Sequence, residues 1–484
     1  MTKWNVLLIA LGVTLLTSCS DVSKDEGKLN KYRLPVPSNH GGMSFETVII
    51  DDLQDPFIMS GASANVIVSE DYSYSEGPVG SPAKPNFIRA GSVLVPTDTK
   101  SIAAVASYYH FNRIKKLDEL LGIKDRLTWP RKVGILTNPL FMTDNAFYQP
   151  FNDTINIVPY TEELKPLYIN GAVLAHEHFH AHYNTLVKWT VLIQRSKMNG
   201  KLSGQLEGDY IEICEGDKFY NLIAKSVGSP SFPETEATVS LKKSENSLSF
   251  SQEVFDKLVS FGVEEEKLKS YPYLDQENLS KLTHQVNYII GRAWDEGNAD
   301  TYAYLYDKNP NFLTDSIKSA HYRKIDGSYK GTYKSASNIV MDVKVLNDFR
   351  CNPGSRKNVE ALKNLGIPTE NAYSYLMASD YAKFLKKLSE SEVLSKKYGD
   401  KAQENLVKSL ANILPEINSY MANTYLKEFL SPLKPIELLV NKLGIQNEPE
   451  VCDLLEEFYG ENPMCSADTK KVEATELTGD KNEA

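Results

Sequence analysis

The sequence has no dense tract of basic residues. Its 53 Lys and Arg face 63 Asp and Glu, and the formal net charge is −10. A protein that binds nucleic acid without regard to sequence needs a basic surface to neutralise phosphates, so we expect no nucleic-acid partner. The 27 Gly and 23 Pro follow no period, and 42% of the residues are hydrophobic. This composition excludes collagen-like and wholly disordered chains and indicates a soluble folded protein of two to three domains.

Cysteine is also scarce, and its spacing gives no support to a thiolate zinc site. None of the 5 Cys forms a CxxC pair. Setting Cys19 aside, the remaining cysteines allow about three disulfide connectivities. Cys452 and Cys465 are close in sequence and are the first pair to consider.

The N-terminus has an apolar run from Val6 to Leu16, which is too short for a transmembrane helix of about 20 residues but suits an export signal. It ends in Leu16-Thr17-Ser18-Cys19, which resembles the lipobox of bacterial lipoproteins. That resemblance implies cleavage before Cys19, acylation of Cys19 and anchoring in a lipid bilayer of the cell envelope. Ser20 is compatible, by the same resemblance, with the outer membrane. The alternative is an ordinary cleaved signal peptide.

Periodicity and capping residues predict the main helices and strands. We expect a helix from Ser101 to Leu121, because N-cap residues precede it and Gly122 follows it. Strands are predicted near 64–68, 133–136 and 154–157, and further helices near 167–194 and 282–306. Beyond Cys351, Leu, Lys and Glu recur at helical spacing with breaks at prolines, which indicates a helical C-terminal domain.

Four histidines fall close together on the second predicted helix, within the motif His176-Glu177-x-x-His180. At about 100° per residue, His176 and His180 lie one turn apart on one face, so their imidazoles can converge on a single ion. Zinc held by two His and a third ligand keeps an open position for water. The pKa of that water falls toward about 7, and Glu177 can take its proton.

The other two histidines of this helix, His178 and His182, point about 200° to 240° away from His176. They cannot share its ion, and we interpret them as surface or hydrogen-bonded core residues.

A second motif, Glu296-Gly297-Asn298-Ala299-Asp300, lies on the third predicted helix. Glu296 and Asp300 are one turn apart, so Glu296 can complete a His2Glu ligand set. Asp300 can accept the free N–H of a liganding His. Two solvated carboxylates are the alternative interpretation.

Together these residues resemble the gluzincin metallopeptidases, in particular the thermolysin-like group, with HExxH on one helix and Glu-x-x-x-Asp on another. The resemblance implies a zincin-like α+β fold and one catalytic zinc ion. It also implies that Asn145 and Ala146, on an edge strand, hold an extended peptide substrate. Arg323 is similar to a family residue that contacts the substrate backbone and supports the site; an ordinary surface Arg is the alternative.

Two features depart from this family. The interval from His180 to Glu296 is long, so an insertion must loop out between the two helices. The family's downstream His, which stabilises the oxyanion, has no counterpart because no His follows His321. The candidate replacements as hydrogen-bond donors are Tyr288, Tyr302, Tyr304, Tyr322 and His321.

The sequence therefore predicts an α+β protein whose zincin-like domain precedes a mainly helical C-terminal domain. We expect a lipid-anchored zinc metalloendopeptidase that acts on peptides or proteins. Two alternatives stay open: a catalytically weak zincin that binds peptide or protein partners, and a His-rich metal-binding lipoprotein. The expected parts are a signal peptide 1–18, a tether 19–44, an N-terminal zincin part 45–196, an insertion 197–281, the Glu-ligand helix with its loops 282–350, a helical domain 351–465 and a disordered tail 466–484.

Overall fold

The computed structural model describes residues 30–38, 42–73, 75–138, 143–188, 276–320, 323–326, 372–425 and 429–459. Predictions for the signal peptide 1–18, Cys19, most of the insertion 197–281 and the tail 466–484 lie outside these residues. The described part is a mixed α+β protein with small sheets and a helical C-terminal part, as expected. It divides into two compact units, residues 1–178 with 315–318 and residues 179–314 with 319–484.

The first unit contains the sheets. Its strands are β1 (Lys31–Ser38), β2 (Gly42–Ile49), β3 (Ala64–Ser69), β4 (Tyr72–Ser73), β5 (Gly77–Pro78), β6 (Phe87–Ala90), β7 (Val93–Pro96), β8 (Arg131–Leu136), β9 (Ala146–Gln149) and β10 (Thr154–Ile157). One sheet has the strand order β2-β1-β7-β6, another has the order β3-β8-β10-β9, and β4 pairs with β5. The predicted strands near 64–68, 133–136 and 154–157 correspond to β3, β8 and β10.

β1 lies inside the range predicted as a tether, so the prediction is wrong from Lys31 onward. Tyr32 and Leu34 are buried while Lys31 and Arg33 are exposed, which is the alternation of a strand with one face in a core. The two prolines of this segment suggested a linker. Among the described strands, β1 pairs with β7 at Lys31 and Tyr32 and beyond that point with β2 alone, so proline is tolerated.

A long helix, α1 (Thr99–Leu121), packs on β3 and β8 of the second sheet. Its predicted boundaries are confirmed to within two residues. The Asp98 side chain accepts a hydrogen bond from the backbone N–H of Ser101, and Gly122 ends the helix in the left-handed conformation at φ 70°. Its apolar face is buried, including Ala104, Phe111 and Ile114.

The helix with the HExxH motif is α2 (Gly171–Val187), shorter at its start than the predicted range from Leu167. Turns precede it, with the backbone N–H of Asn170 bonded to the Pro166 and Leu167 carbonyls. Lys188 takes a positive φ of 54°, which ends the helix. The remainder of the predicted helix, from residue 189, lies outside the described residues.

The second unit is helical. Its helices are α3 (Gln276–Asp307), α4 (Ala372–Ser389), α5 (Glu392–Tyr398), α6 (Ala402–Thr424), α7 (Lys434–Leu443) and α8 (Pro449–Tyr459). α3 packs against α4 and α6. The predicted break at Pro415 does not occur, because α6 continues through it. Ile413, Leu414 and Ile417 are fully buried there, and that burial offsets the roughly 3 kcal/mol cost of an internal proline.

Two further findings concern a disulfide bond and the length and hydropathy of the helices. Cys452 is disulfide-bonded, and its predicted partner, Cys465, lies outside the described residues. None of the helices in the ranges given above is both long enough and apolar enough to cross a membrane.

Candidate metal centre

α2 carries its histidines in a setting from which water is largely excluded. Val173, Leu174 and Phe179 are almost completely buried, and His176 is only 2% exposed. The apolar positions surround the helix on several sides, as expected for a helix inside a protein. The imidazoles of His176, His178 and His182 therefore face protein groups, while His180 is partly exposed.

His176, His180 and Glu296 form the first metal-ligand cluster. One ligand atom of each residue lies within 4.8 Å of the others. His180 Nε2 and Glu296 Oε2 are 3.8 Å apart. Ligand atoms about 2.0–2.1 Å from a tetrahedral zinc ion are about 3.4 Å from one another, so a small adjustment would bring these atoms onto one ion. Two imidazoles and a carboxylate are also a donor set that zinc prefers. This cluster can hold a metal ion, and the donor residues predicted from sequence are the ones brought together.

Asp295 orients one of these histidines. His180 Nδ1 lies 2.8 Å from Asp295 Oδ1, which leaves Nε2 directed toward Glu296. A carboxylate on the second nitrogen fixes the tautomer and makes the imidazole a better ligand. Asp295 was not predicted from the sequence, although it stands directly before the predicted ligand Glu296.

Asp300 is fully buried, and its Oδ1 accepts a hydrogen bond of 2.8 Å from Arg323 Nη2. Its predicted role as acceptor from a liganding His stays a prediction. The same Arg323 nitrogen donates to Glu296 Oε2 at 3.0 Å. Arg323 thus joins the candidate ligand to the second carboxylate of the motif.

Arg323 is 8% exposed, so it is not an ordinary surface arginine. Burial lowers the pKa of its guanidinium, but the carboxylates of Asp300 and Glu296 act more strongly together, and the pKa is raised above its usual value. The Arg323 side chain therefore stays positively charged beside the ligand Glu296 of the first cluster. By sharing the charge of Glu296, it weakens this carboxylate as a donor and would leave a bound ion more electrophilic.

Glu177 is held by the edge of the second sheet. It is 8% exposed, and its Oε2 accepts a hydrogen bond of 2.9 Å from the backbone N–H of Tyr148 in β9. β9 is the outermost of the described strands in its sheet and pairs antiparallel with β10. The Tyr148 N–H is therefore directed away from β10 and fixes one oxygen of the candidate base.

The predicted substrate-binding residues Asn145 and Ala146 lie at the start of this edge strand. The Ala146 backbone N–H donates a hydrogen bond of 2.9 Å to the side-chain oxygen of its neighbour, Asn145 Oδ1. The bidentate pair of Arg131 with Asp153, whose shorter contact is 2.6 Å, supports the turn between β9 and β10. Tyr148 Oη also donates to Asp153 Oδ1 at 3.0 Å. Peptide binding at this edge stays a prediction.

The predicted oxyanion donors are spread over several places. Tyr302 is fully buried against Phe179, with ring centroids 5.2 Å apart, and Tyr304 donates to Glu390 on an exposed surface. His321 and Tyr322 lie outside the described residues, while Tyr288 is half-buried on α3.

A tyrosine that the sequence did not indicate, Tyr375, lies beside the first cluster. Its ring centroid is 4.8 Å from the Arg292 guanidinium carbon and 4.6 Å from that of Arg323, and its hydroxyl accepts a 2.5 Å hydrogen bond from Arg292. Arg292 Nε in turn is 3.8 Å from Glu296 Oε1. No spacing in the sequence joins Tyr375 to α3, because it comes from α4.

The second cluster consists of Asp118, His178 and His182, whose ligand atoms also lie within 4.8 Å of one another. His178 Nε2 is 2.8 Å from Asp118 Oδ2. Both histidines are fully buried, so the surface alternative is wrong for them. Asp118 lies on α1, and no motif in the sequence indicates it as a ligand.

No protein-family model, curated protein or solved structure matches this chain. The interpretation of the two clusters therefore depends on their own geometry and chemistry.

Proposed function

We propose that the protein is a zinc metallopeptidase with a zincin-like arrangement of α2 and α3. The observation that carries this proposal is the first cluster, in which two imidazoles one helical turn apart meet Glu296 from another helix. Glu177 next to His176 supplies the carboxylate that this chemistry requires. A structural carboxylate-imidazole network would explain the burial, but it would not require a second carboxylate fixed against an edge strand.

Each side chain of the site has a separate task in this proposal. His176, His180 and Glu296 would hold zinc, which when bound supplies Lewis acidity and lowers the pKa of its water. Glu177 accepts the proton of the attacking water and then delivers it to the leaving amine. Asp295 holds His180 in the liganding tautomer, and Arg323 fixes Glu296.

The edge strand β9 suits an extended peptide as substrate. A peptide added along this edge would lie beside Glu177, since the Tyr148 N–H of the same strand contacts that carboxylate. Asn145 and Ala146 would then align the substrate backbone. Arg292, which lies 3.8 Å from Glu296 Oε1, and Tyr375, which accepts a hydrogen bond from Arg292, would be candidate donors to a developing oxyanion.

Export and lipid anchoring belong to the same proposal. The lipobox-like sequence ending at Cys19 and the disulfide at Cys452 both suit a protein of the oxidising cell envelope. We propose attachment through acylated Cys19, with the outer membrane as the location favoured by Ser20.

The decisive experiment compares peptide cleavage by the zinc-loaded full chain with its Glu177→Gln variant. We expect a loss of at least about 100-fold in kcat/KM, because a positioned general base contributes about 10²–10⁴-fold. The matched control is Glu163→Gln, since Glu163 is exposed on a turn. Zinc content is measured in both variants, and it should not change. Equal cleavage by all three proteins, or cleavage by none, would defeat the peptidase proposal. If none of them cleaves the peptide but the peptide still binds, the catalytically weak zincin would be favoured.

A further inference from the structure

The second cluster has the donor set of a metal site and takes no part in the proposed catalysis. Asp118, His178 and His182 are each 0% exposed. One ligand atom of each lies within 4.8 Å of the others, as in the first cluster. Two imidazoles with one carboxylate are donors suited to zinc and related divalent ions.

Helix geometry separates the two clusters. His178 and His182 are one turn apart on α2, so their rings can converge on one point. They lie about 200° or more around the helix from His176. An ion bound to one pair is therefore on the far side of α2 from the other, and the two clusters cannot share an ion.

The buried position of Asp118 at the end of α1 favours positive charge beside it. Asp118 lies in the last turn of α1, at the negative end of the helix dipole, and that turn contains no basic residue. Burying a carboxylate completely in this position is costly unless positive charge compensates it. Arg126 interacts electrostatically with Asp118 and offsets part of the charge. A divalent ion among the three side chains would offset it directly.

Aromatic rings enclose one of the histidines. The ring centroid of His178 is 5.3 Å from that of Trp129 and 6.2 Å from that of Phe111, with the Phe111 ring edge-on. These rings hold the imidazole in one orientation and keep water away from it. An ion in such an enclosure would be structural rather than catalytic, because a catalytic ion needs an open position for water.

We propose that Asp118, His178 and His182 bind a second divalent transition-metal ion, of the zinc class, in a closed site that joins the end of α1 to α2. This inference is independent of the peptidase proposal, because it uses none of the residues of the first cluster.

Counting bound zinc in the purified full chain tests the inference. The protein is loaded with Zn²⁺, dialysed against zinc-free buffer and measured by inductively coupled plasma mass spectrometry. Two variants accompany it: Asp118→Asn, which keeps the shape and a hydrogen-bonding group for His178, and Glu296→Gln, which changes the first cluster. We expect two zinc ions in the wild type and the loss of one in each variant.

The two proposals fail in different ways in this experiment. A single ion that only Glu296→Gln removes would overturn the second site and leave the first. A single ion that only Asp118→Asn removes would support the second site and defeat the peptidase proposal, whereas no bound zinc would defeat both.

Failure of Asp118→Asn to fold, detected by circular dichroism, would not leave the question open. The wild-type count still distinguishes one ion from two, and His182→Gln replaces Asp118→Asn as the second variant. The rate of zinc removal by a chelator is an additional readout. Glu296→Gln retains the ion of the second cluster, and Asp118→Asn or His182→Gln retains the ion of the first. We expect the ion of the second cluster to be removed at least about tenfold more slowly, because that site is closed to solvent. Equal removal rates would contradict a closed site.

Discussion

At the scale of single residues, the position of Glu177 depends on a backbone group. Its carboxylate receives the Tyr148 N–H at 2.9 Å, and this donor belongs to an edge strand whose other side is engaged with β10. A backbone donor has no side-chain freedom, so it fixes the carboxylate with little entropic cost. The strand that would align a substrate therefore also positions the candidate base.

Replacing Tyr148 by proline removes this donor without breaking the β9–β10 ladder. Proline is tolerated where the N–H of an edge strand points away from its neighbour. We expect Tyr148→Pro to lower kcat/KM for peptide cleavage by about tenfold or more, with zinc content unchanged, since a displaced base loses part of its contribution.

Tyr148→Phe is the matched control for this substitution. It keeps the N–H and loses only the hydroxyl contact to Asp153, so cleavage should stay near the wild-type level. Equal losses in both variants would show that the hydroxyl, and not the backbone donor, matters at this position.

At the scale of helices, the approach of α4 to α3 depends on a glycine beside the candidate ligand. A Cβ atom built on Gly297 would lie 2.5 Å from a ring carbon of Tyr381 and 2.9 Å from the backbone oxygen of Ala378. The backbone oxygen of Ala378 belongs to α4 and cannot move away from a Cβ atom as the end of a flexible side chain can. Gly297 therefore allows α4 to pack directly beside Glu296, which brings Tyr375 to the first cluster.

The substitution Gly297→Ala tests this packing, because the close approach of α4 predicts that it lowers the free energy of unfolding and does not raise it. In an ordinary helix, Gly→Ala is stabilising by about 1 kcal/mol. Here we expect the free energy of unfolding to fall by about 1–3 kcal/mol, because overpacking forces the helices apart. Urea unfolding followed by circular dichroism measures it, and a stabilised variant would contradict the close approach.

The helices and strands also differ in how far the sequence predicted them. The boundaries of α1 follow from Asp98 and Gly122, because capping is local chemistry that the sequence contains in full. β1 was missed because its two prolines have the composition of a linker. Proline is acceptable there because, among the described strands, β1 has no second neighbour beyond Tyr32, and that is a property of the sheet.

At the scale of the whole molecule, stability in acid should depend on a buried histidine outside both clusters. Burial lowers the pKa of His110 from 6.5 to about 3, and the charges of Arg113 and Lys165 act in the same direction. His110 is therefore neutral in the folded protein. The unfolded chain takes up this proton first, so stability is complete above the unfolded pKa and is lost as the pH falls from about 6.5 toward about 3.

The variant His110→Gln should reduce this dependence on pH. In the wild type this one group lowers the free energy of unfolding by at most about 1.4 kcal/mol per pH unit across that interval. In urea unfolding at a series of pH values, the free energy of unfolding should fall more steeply with decreasing pH for the wild type than for the variant. Curves that stay parallel would show that His110 does not titrate differently on folding.

The sequence by itself determined the features that depend on neighbours along the chain. Helical spacing placed His176 and His180 on one face, and placed His178 and His182 on another. It also paired Glu296 with Asp300 on a single turn. These relations hold for any α-helix, so no tertiary structure was needed to state them.

Only the tertiary structure decided which groups meet across the chain. Asp118 meets His178 at 2.8 Å although the two are 60 residues apart, and Tyr375 reaches Arg292 from another helix. It also assigned Asp295 to His180 and bound Arg323 to both carboxylates of the second motif. Such contacts depend on how buried helices pack and on the need of each buried charge for a partner. Neither can be predicted from the spacing of residues along the chain.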